Sequence, residues 1–191
     1  MQWCLPPEDD HFKDPDNYQQ DAYDLLIKHT TTRRTALDVG AHIGIFTRRF
    51  AQDFEHVVAI EPVNHTYLQA NTQDLDNVHI RAIGAGDKAR TLYAHNPKSS
   101  NTGAWELSDN ISDVSVSVVA IDSLWIPQLD AIKIDAQGME RDILTGAEHT
   151  LQKYKPTLLV ELPCAKTVEF LEDLRYKLVE KCRKDCVFVA D

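Results

Sequence analysis

The segment Asp38-Val39-Gly40-Ala41-His42-Ile43-Gly44 has the residue types of a ligand-binding turn. A short apolar run ends in an acid, two glycines flank a tight turn, and a helical pattern follows. Gly40 lets the backbone come close to a ligand, and Gly44 permits tight strand-to-helix packing. A dinucleotide fingerprint needs glycine at position 42 and a small residue at 45. This chain has His42 and Ile45 there, which crowd a pyrophosphate. The spacing suits a cofactor without phosphates. S-adenosylmethionine (SAM) has that chemistry: its ammonium meets a carboxylate such as Asp38, and its carboxylate meets the amides of a helix N-terminus. Ala41, His42 and Phe46, in and just after the turn, are assigned to the same site.

Further residues fall in register with this turn. Glu61, followed by Pro62, ends the next apolar run, and an acid about 20 residues beyond the glycine turn is placed to accept the hydroxyls of a ribose. A third run ends at Ala82-Ile83-Gly84-Ala85, where small and apolar residues suit an adenine, so Ile83 is assigned to the cofactor. Lys133 and Asp135 lie two apart on a strand and share a face. Asp135, at the mouth of a crevice, is the first candidate for a general base, with His42 and Glu161 as second candidates. His42 serves equally well as pocket wall. Lys133 is either a substrate-binding charge or one half of a buried ion pair. The polar loop 96–103 and Trp105 are expected on the acceptor side, with Asn101, Trp105, Lys133 and Glu161 as substrate contacts. Glu140, in a first helical turn, reads as a favourable N-terminal charge. No metal site is expected, since no third ligand accompanies Asp135 and Glu161.

These residues must be held by an alternation of strands and helices. Thr35–Val39, His56–Ile60, 78–83, 131–134 and 157–162 read as short strands covered on both faces. Ile45–Asp53, 65–75 and 140–154 read as helices between them. Such alternation predicts a mainly parallel sheet with helices on both faces. Residues 91–124 read as a β-rich insertion, 165–174 as a helix, and 176–180 with 186–189 as a terminal hairpin. An irregular arm and a helix over 18–29 make up residues 1–34, ahead of a single domain at 35–191.

With 191 residues, 43% hydrophobic and 26% charged, the chain has ordinary globular composition for one domain. The net charge of −10 argues against general affinity for nucleic acid. No apolar run is long enough to span a bilayer and the first residues lack a signal-peptide pattern. The expectation is a cytoplasmic protein without nucleic-acid or membrane partners, its four cysteines reduced.

The ordered set Asp38 to Gly44, Phe46-Thr47, Glu61-Pro62, Ala82-Ile83-Gly84, Ile121-Asp122-Ser123-Leu124, Lys133-Ile134-Asp135-Ala136-Gln137-Gly138-Met139-Glu140, Gly146-Ala147 and Val160-Glu161 resembles the FkbM family of SAM-dependent methyltransferases. The resemblance runs from about Thr35 to Glu161. It implies a Rossmann-like class I methyltransferase fold, with seven strands and a C-terminal antiparallel hairpin. It also implies O-methylation of a hydroxyl on a sugar, glycan or small metabolite. His42 stands where the family usually has Asn, Gln137 where it has Glu, and Arg175-Tyr176 where a Gly-Tyr pair is common. Two other readings remain: a degenerate fold that only binds, and an NAD-dependent oxidoreductase, which His42 and Ile45 disfavour.

Overall fold

The structure is a computed structural model that describes residues 2–7, 9, 14–97 and 100–191. Glu8 and residues 10–13 of the acidic arm, and Lys98 and Ser99 of the polar loop, lie outside the described residues.

In chain order the elements are α1 (Gln20–His29), β1 (Thr35–Val39), α2 (Ile45–Asp53), β2 (His56–Ile60), α3 (His65–Thr72) and β3 (Val78–Arg81). Next come β4 (Gly84–Ala85), β5 (Arg90–His95), β6 (Glu106–Ser108) and β7 (Ser115–Val119), then a 3-10 turn at Ile121–Ser123. The chain ends with β8 (Leu129–Ile134), α4 (Glu140–Thr145), α5 (Glu148–Tyr154), β9 (Thr157–Glu161), α6 (Ala165–Asp173), β10 (Tyr176–Cys182) and β11 (Asp185–Ala190).

Seven strands form the main sheet in the order β10-β11-β9-β8-β1-β2-β3. The pairs among β1, β2, β3, β8 and β9 are parallel, while β11 runs antiparallel to both β9 and β10. The chain leaves β1 towards β2 and β3, then returns to β8 on the other side of β1. That reversal opens a crevice at the strands' carboxyl ends, where open α/β sheets bind ligands.

Strand alternation explains the two apolar layers. Leu37, Val39, Ile132, Ile134, Leu158 and Val160 project into one layer. Ala36, Ala131 and Leu159 project into the other, beneath Phe46, Phe50 and Phe54. Ala22, Tyr23 and Leu26 of α1 complete this second layer. Every residue of β1 and of β8 is buried, as both sheet faces are covered.

Several boundaries differ from those the sequence predicts. The helix expected over 140–154 is two helices, α4 and α5, parted at Gly146. A Cβ at Gly146 would stand 2.0 Å from the Gly86 carbonyl oxygen, so this break docks against another backbone. The carboxylate of Asp122 then accepts hydrogen bonds from the amides of His149 and Thr150 at 3.0 and 2.8 Å, capping α5 from a distant segment. The helix at 65 stops at Thr72 and the third strand at Arg81. The insertion folds as a second sheet, β4-β7-β5-β6, around Leu92, Ala94, Val116 and Val118.

Candidate cofactor and acceptor site

A cavity of about 570 Å³ lies at the carboxyl ends of β1, β2, β8 and β9, within the size range of small-molecule sites. Of the residues expected to form the site, Gly40, Ala41, His42, Phe46, Glu61, Pro62, Asn101, Trp105, Lys133, Asp135 and Glu161 line it. Three others do not. Ile83 packs against the main core, and its neighbours Gly84 and Ala85 line the cavity instead. Gly44 lies behind the turn, where a Cβ would meet Leu68 Cδ1 at 2.8 Å. Its role is the close packing of α2 on α3.

Asp38 needs a larger correction. Its carboxylate is fully buried below the turn, away from the cavity. It accepts a hydrogen bond from Thr47 Oγ1 at 2.7 Å and stands 3.4 Å from Lys133 Nζ. The cause is register: Asp38 and Lys133 are direct partners in the β1–β8 ladder and share a face. Lys133 Nζ also donates to the Gly40 carbonyl oxygen at 2.8 Å and lies over the Phe46 ring, 5.5 Å from its centre. Burial disfavours its charge, but Asp38, Asp135 and Glu161 outweigh burial and raise its pKa. Asp38 and Lys133 therefore form the buried pair that stiffens the cavity floor.

The reason for glycine at position 40 also changes. Its φ is +75°, and a Cβ there would lie 1.8 Å from the Asp135 carbonyl oxygen. The missing side chain makes room for the loop after β8, rather than for a ligand alone.

Glu61 holds the β2 end of the cavity. One of its carboxylate oxygens accepts the His42 amide at 2.9 Å, and the other accepts those of Val63 and Asn64, both at 2.9 Å. Burial raises its pKa against the pull of these three bonds. An ionised carboxylate offers about four acceptor positions, so Glu61 has one left for a ligand hydroxyl.

The opposite wall is acidic. Asp135 follows β8, accepts from Gln137 Nε2 at 3.1 Å and stands 3.9 Å from Lys133 Nζ. Glu161 faces it from the end of β9. Burial and the hydrogen bond to Asp135 push the Glu161 pKa up to about 8. Near neutral pH Glu161 therefore carries a proton, hydrogen-bonded to Asp135.

Tyr18, Leu162 and Asp185 also line the cavity; the resemblance places the arm carrying Tyr18 over the cofactor, whereas nothing in the sequence assigns Leu162 or Asp185 to the site. Tyr18 comes from the arm before α1, and burial with nearby Asp135 pushes its pKa up to about 12. The arm is tied down by Asn71, whose side chain bonds both the amide and the carbonyl of Cys4, at 2.7 and 2.9 Å. On the insertion side, Thr102 Oγ1 meets His42 Nε2 at 2.8 Å, and Asn64 Nδ2 donates to the Thr102 carbonyl at 2.9 Å. The His42 ring thus anchors the insertion loop. Backbone strain supplies a signal that composition lacks. Of the eight described non-glycine residues with positive φ, five line this cavity: Gln19, His42, Gln137, Leu162 and Arg183. Such strain concentrates at functional sites.

Among the described residues no group of three or more His, Cys, Asp or Glu is arranged to hold a metal ion. No helix among them is long and apolar enough to cross a membrane.

Comparison with known proteins agrees with this geometry. No curated protein matches the chain. Among solved structures, a methyltransferase FkbM from Methylobacillus flagellatus is 20% identical, with a TM-score of 0.61 over 82% of this chain. The alignment spans 43% of that longer protein. A precorrin-6y C5,15-methyltransferase from Geobacter metallireducens is 15% identical, with a TM-score of 0.57 over 93% of this chain and 89% of the other. A 1,6-didemethyltoxoflavin-N1-methyltransferase from Burkholderia thailandensis, with bound 1,6-didemethyltoxoflavin and S-adenosylhomocysteine (SAH), is 12% identical. Its TM-score is 0.54 over 92% of this chain and 80% of the other. These likenesses show the class I methyltransferase fold. The methyltransferase FkbM domain model matches residues 38–184, from the cavity floor at Asp38 to the turn before β11. The chain belongs to the FkbM methyltransferase family.

Proposed function

We propose that this protein transfers a methyl group from SAM to a hydroxyl of a sugar, glycan or small metabolite. The observation that carries this reading is the cavity at the strand reversal, with Glu61 at one end and the facing pair Asp135 and Glu161 at the other. SAH bound in the Burkholderia enzyme supports the cofactor.

The residues present fit SAM, although not as Asp38 alone suggests. Glu61 has an acceptor position for a ribose hydroxyl. Gly84 and Ala85 give a small, apolar wall for adenine. With Asp38 committed to Lys133, Asp135 is the carboxylate we assign to the SAM ammonium, among those that line the cavity. SAM, when bound, supplies an electrophilic methyl on a sulfonium. Asp135, beside protonated Glu161, orients the acceptor hydroxyl and takes its proton. Phe46, Trp105 and Leu162 exclude water from the cavity walls, and holding the reactants in line accounts for much of the rate.

Calorimetry with SAH and with NAD tests the cofactor: SAH is expected to bind and NAD not to, and the reverse overturns the reading. Transfer of labelled methyl from SAM to a panel of hydroxylated metabolites then tests the reaction. Asp135→Asn is expected to lower transfer about 10²–10⁴-fold and to weaken SAH by the smaller amount of one charged hydrogen bond, about tenfold or more. Full turnover by Asp135→Asn removes the residue from the mechanism.

A further inference from the structure

Three carboxylates converge where the cavity meets β8, β9 and β11: Asp135, Glu161 and Asp185. Two have partners. Asp135 has Gln137 and Lys133, and Glu161 has Lys184 Nζ at 4.0 Å. Asp185 differs. It is 7% exposed, lines the cavity, and has no side-chain hydrogen bond or ion pair among the described residues. It also lies directly across from Glu161 in the β9–β11 ladder, and its charge is one of the causes that keep Glu161 protonated.

The cations nearby are committed elsewhere. Lys133 is bound to Asp38 and the Gly40 carbonyl. Arg183 pairs with Asp21 at 3.3 Å. The Lys184 side chain is 66% exposed and reaches only Glu161. A buried carboxylate without a partner calls for a proton or a cation. Burial and the charge of Asp135 push the Asp185 pKa up only to about 6, so near neutral pH it is mostly ionised.

We infer that the acceptor is an amino alcohol, amino sugars included, whose protonated amine sits between Asp185 and Glu161 while its hydroxyl faces Asp135. This rests on the methyl-transfer reading above. A neutral polyol leaves the Asp185 charge unpaired, whereas an ammonium brings it one positive charge and has three donors to share with Glu161. Protonation also removes the amine's lone pair, so the hydroxyl is the nucleophile that remains.

The test uses the full chain saturated with SAH, near neutral pH. Ligand-observed NMR titrations compare glucosamine with glucose, and ethanolamine with ethylene glycol. Each amine is expected to bind at least about tenfold more tightly than its matched polyol, the scale of a charged hydrogen bond. Asp185→Asn is expected to abolish that preference, leave SAH affinity unchanged, and fold at least as stably because it removes a buried charge that has no partner. Equal binding of amine and polyol, no amine binding, or a preference that survives in Asp185→Asn overturns the inference. If Asp185→Asn fails to fold, the wild-type comparison decides alone. Calorimetry with SAH separates the two levels: SAH bound without amine preference sinks only the acceptor class, and no SAH binding sinks the methyl-transfer reading as well.

Discussion

Glu61 illustrates how one side chain serves structure and site together. Its carboxylate gathers the amides of His42, Val63 and Asn64, joining the turn after β1 to the start of α3. Glu61→Ala strands these donors, so unfolding free energy is expected to fall by about 2 kcal/mol or more. Losing the acceptor for a ribose hydroxyl is expected to weaken SAH by about 1.5–3 kcal/mol, roughly 10- to 150-fold. Denaturant unfolding and calorimetry read the two effects separately. A variant that loses stability but keeps full SAH affinity makes Glu61 a structural residue only. At the same scale, the departures from the family pattern find a physical account. His42, Gln137 and Arg175 all have positive φ, at 50°, 48° and 64°. Asn and Gly, usual in the family at the first and last of these positions, adopt that region more readily than most residues. His42 has the ring bond to Thr102 to set against the cost; nothing in the structure offsets it at Arg175.

The elements meet so closely that two contacts are backbone on backbone. Gly40 faces the Asp135 carbonyl and Gly146 faces the Gly86 carbonyl. Gly40→Ala puts a methyl into a carbonyl oxygen at positive φ, with an expected cost of about 3 kcal/mol or more. For a chain of this length that lowers Tm by roughly 6–12 °C. Thermal unfolding followed by circular dichroism measures it, and a wild-type Tm would mean that β1 and β8 do not approach as described. Any loss of SAH binding in this variant is then read as displacement of the loop carrying Asp135, not as a block of the cofactor itself. The insertion matters at this scale too. It presents Trp105, just before β6, and Leu107 of β6 to the cavity, and Thr102 fastens it to His42 and Asn64.

For the whole molecule, the acidic wall links stability to pH. Glu161 titrates near 4.5 when unfolded and near 8 when folded. Between those values the folded chain holds a proton that the unfolded chain has lost. This contribution is complete below 4.5 and is lost as pH rises through about 8. Asp185 acts in the same direction between 3.8 and about 6. Urea unfolding across this range is expected to show wild-type stability falling with pH more steeply than that of Glu161→Gln, which cannot titrate there. Parallel curves would show that the raised Glu161 pKa makes no contribution to stability. The net charge of −10 adds general repulsion at high pH, but both proteins share it apart from the one altered residue.

The sequence alone determined the kinds of element and their order. Buried parallel strands read as continuous apolar runs, helices as a 3.6-residue period, and the terminal hairpin as two runs around the charged turn 181–185. It also located the turn at Gly40 and the acids that end β2, β8 and β9, because a strand end is a local feature. Only the tertiary structure decided which way those side chains face. Asp38 reads as a ligand contact until the β1–β8 register sets it against Lys133. Ile83 gives way to Gly84 and Ala85 because the chain bends into a second sheet there. Asp185 looked like part of a solvated turn, with Arg183 and Lys184 beside it. It becomes a buried wall of the cavity because β11 inserts between β9 and β10. Pairing of that kind joins segments far apart in the chain, and local composition does not encode which residue of one strand will face which residue of another.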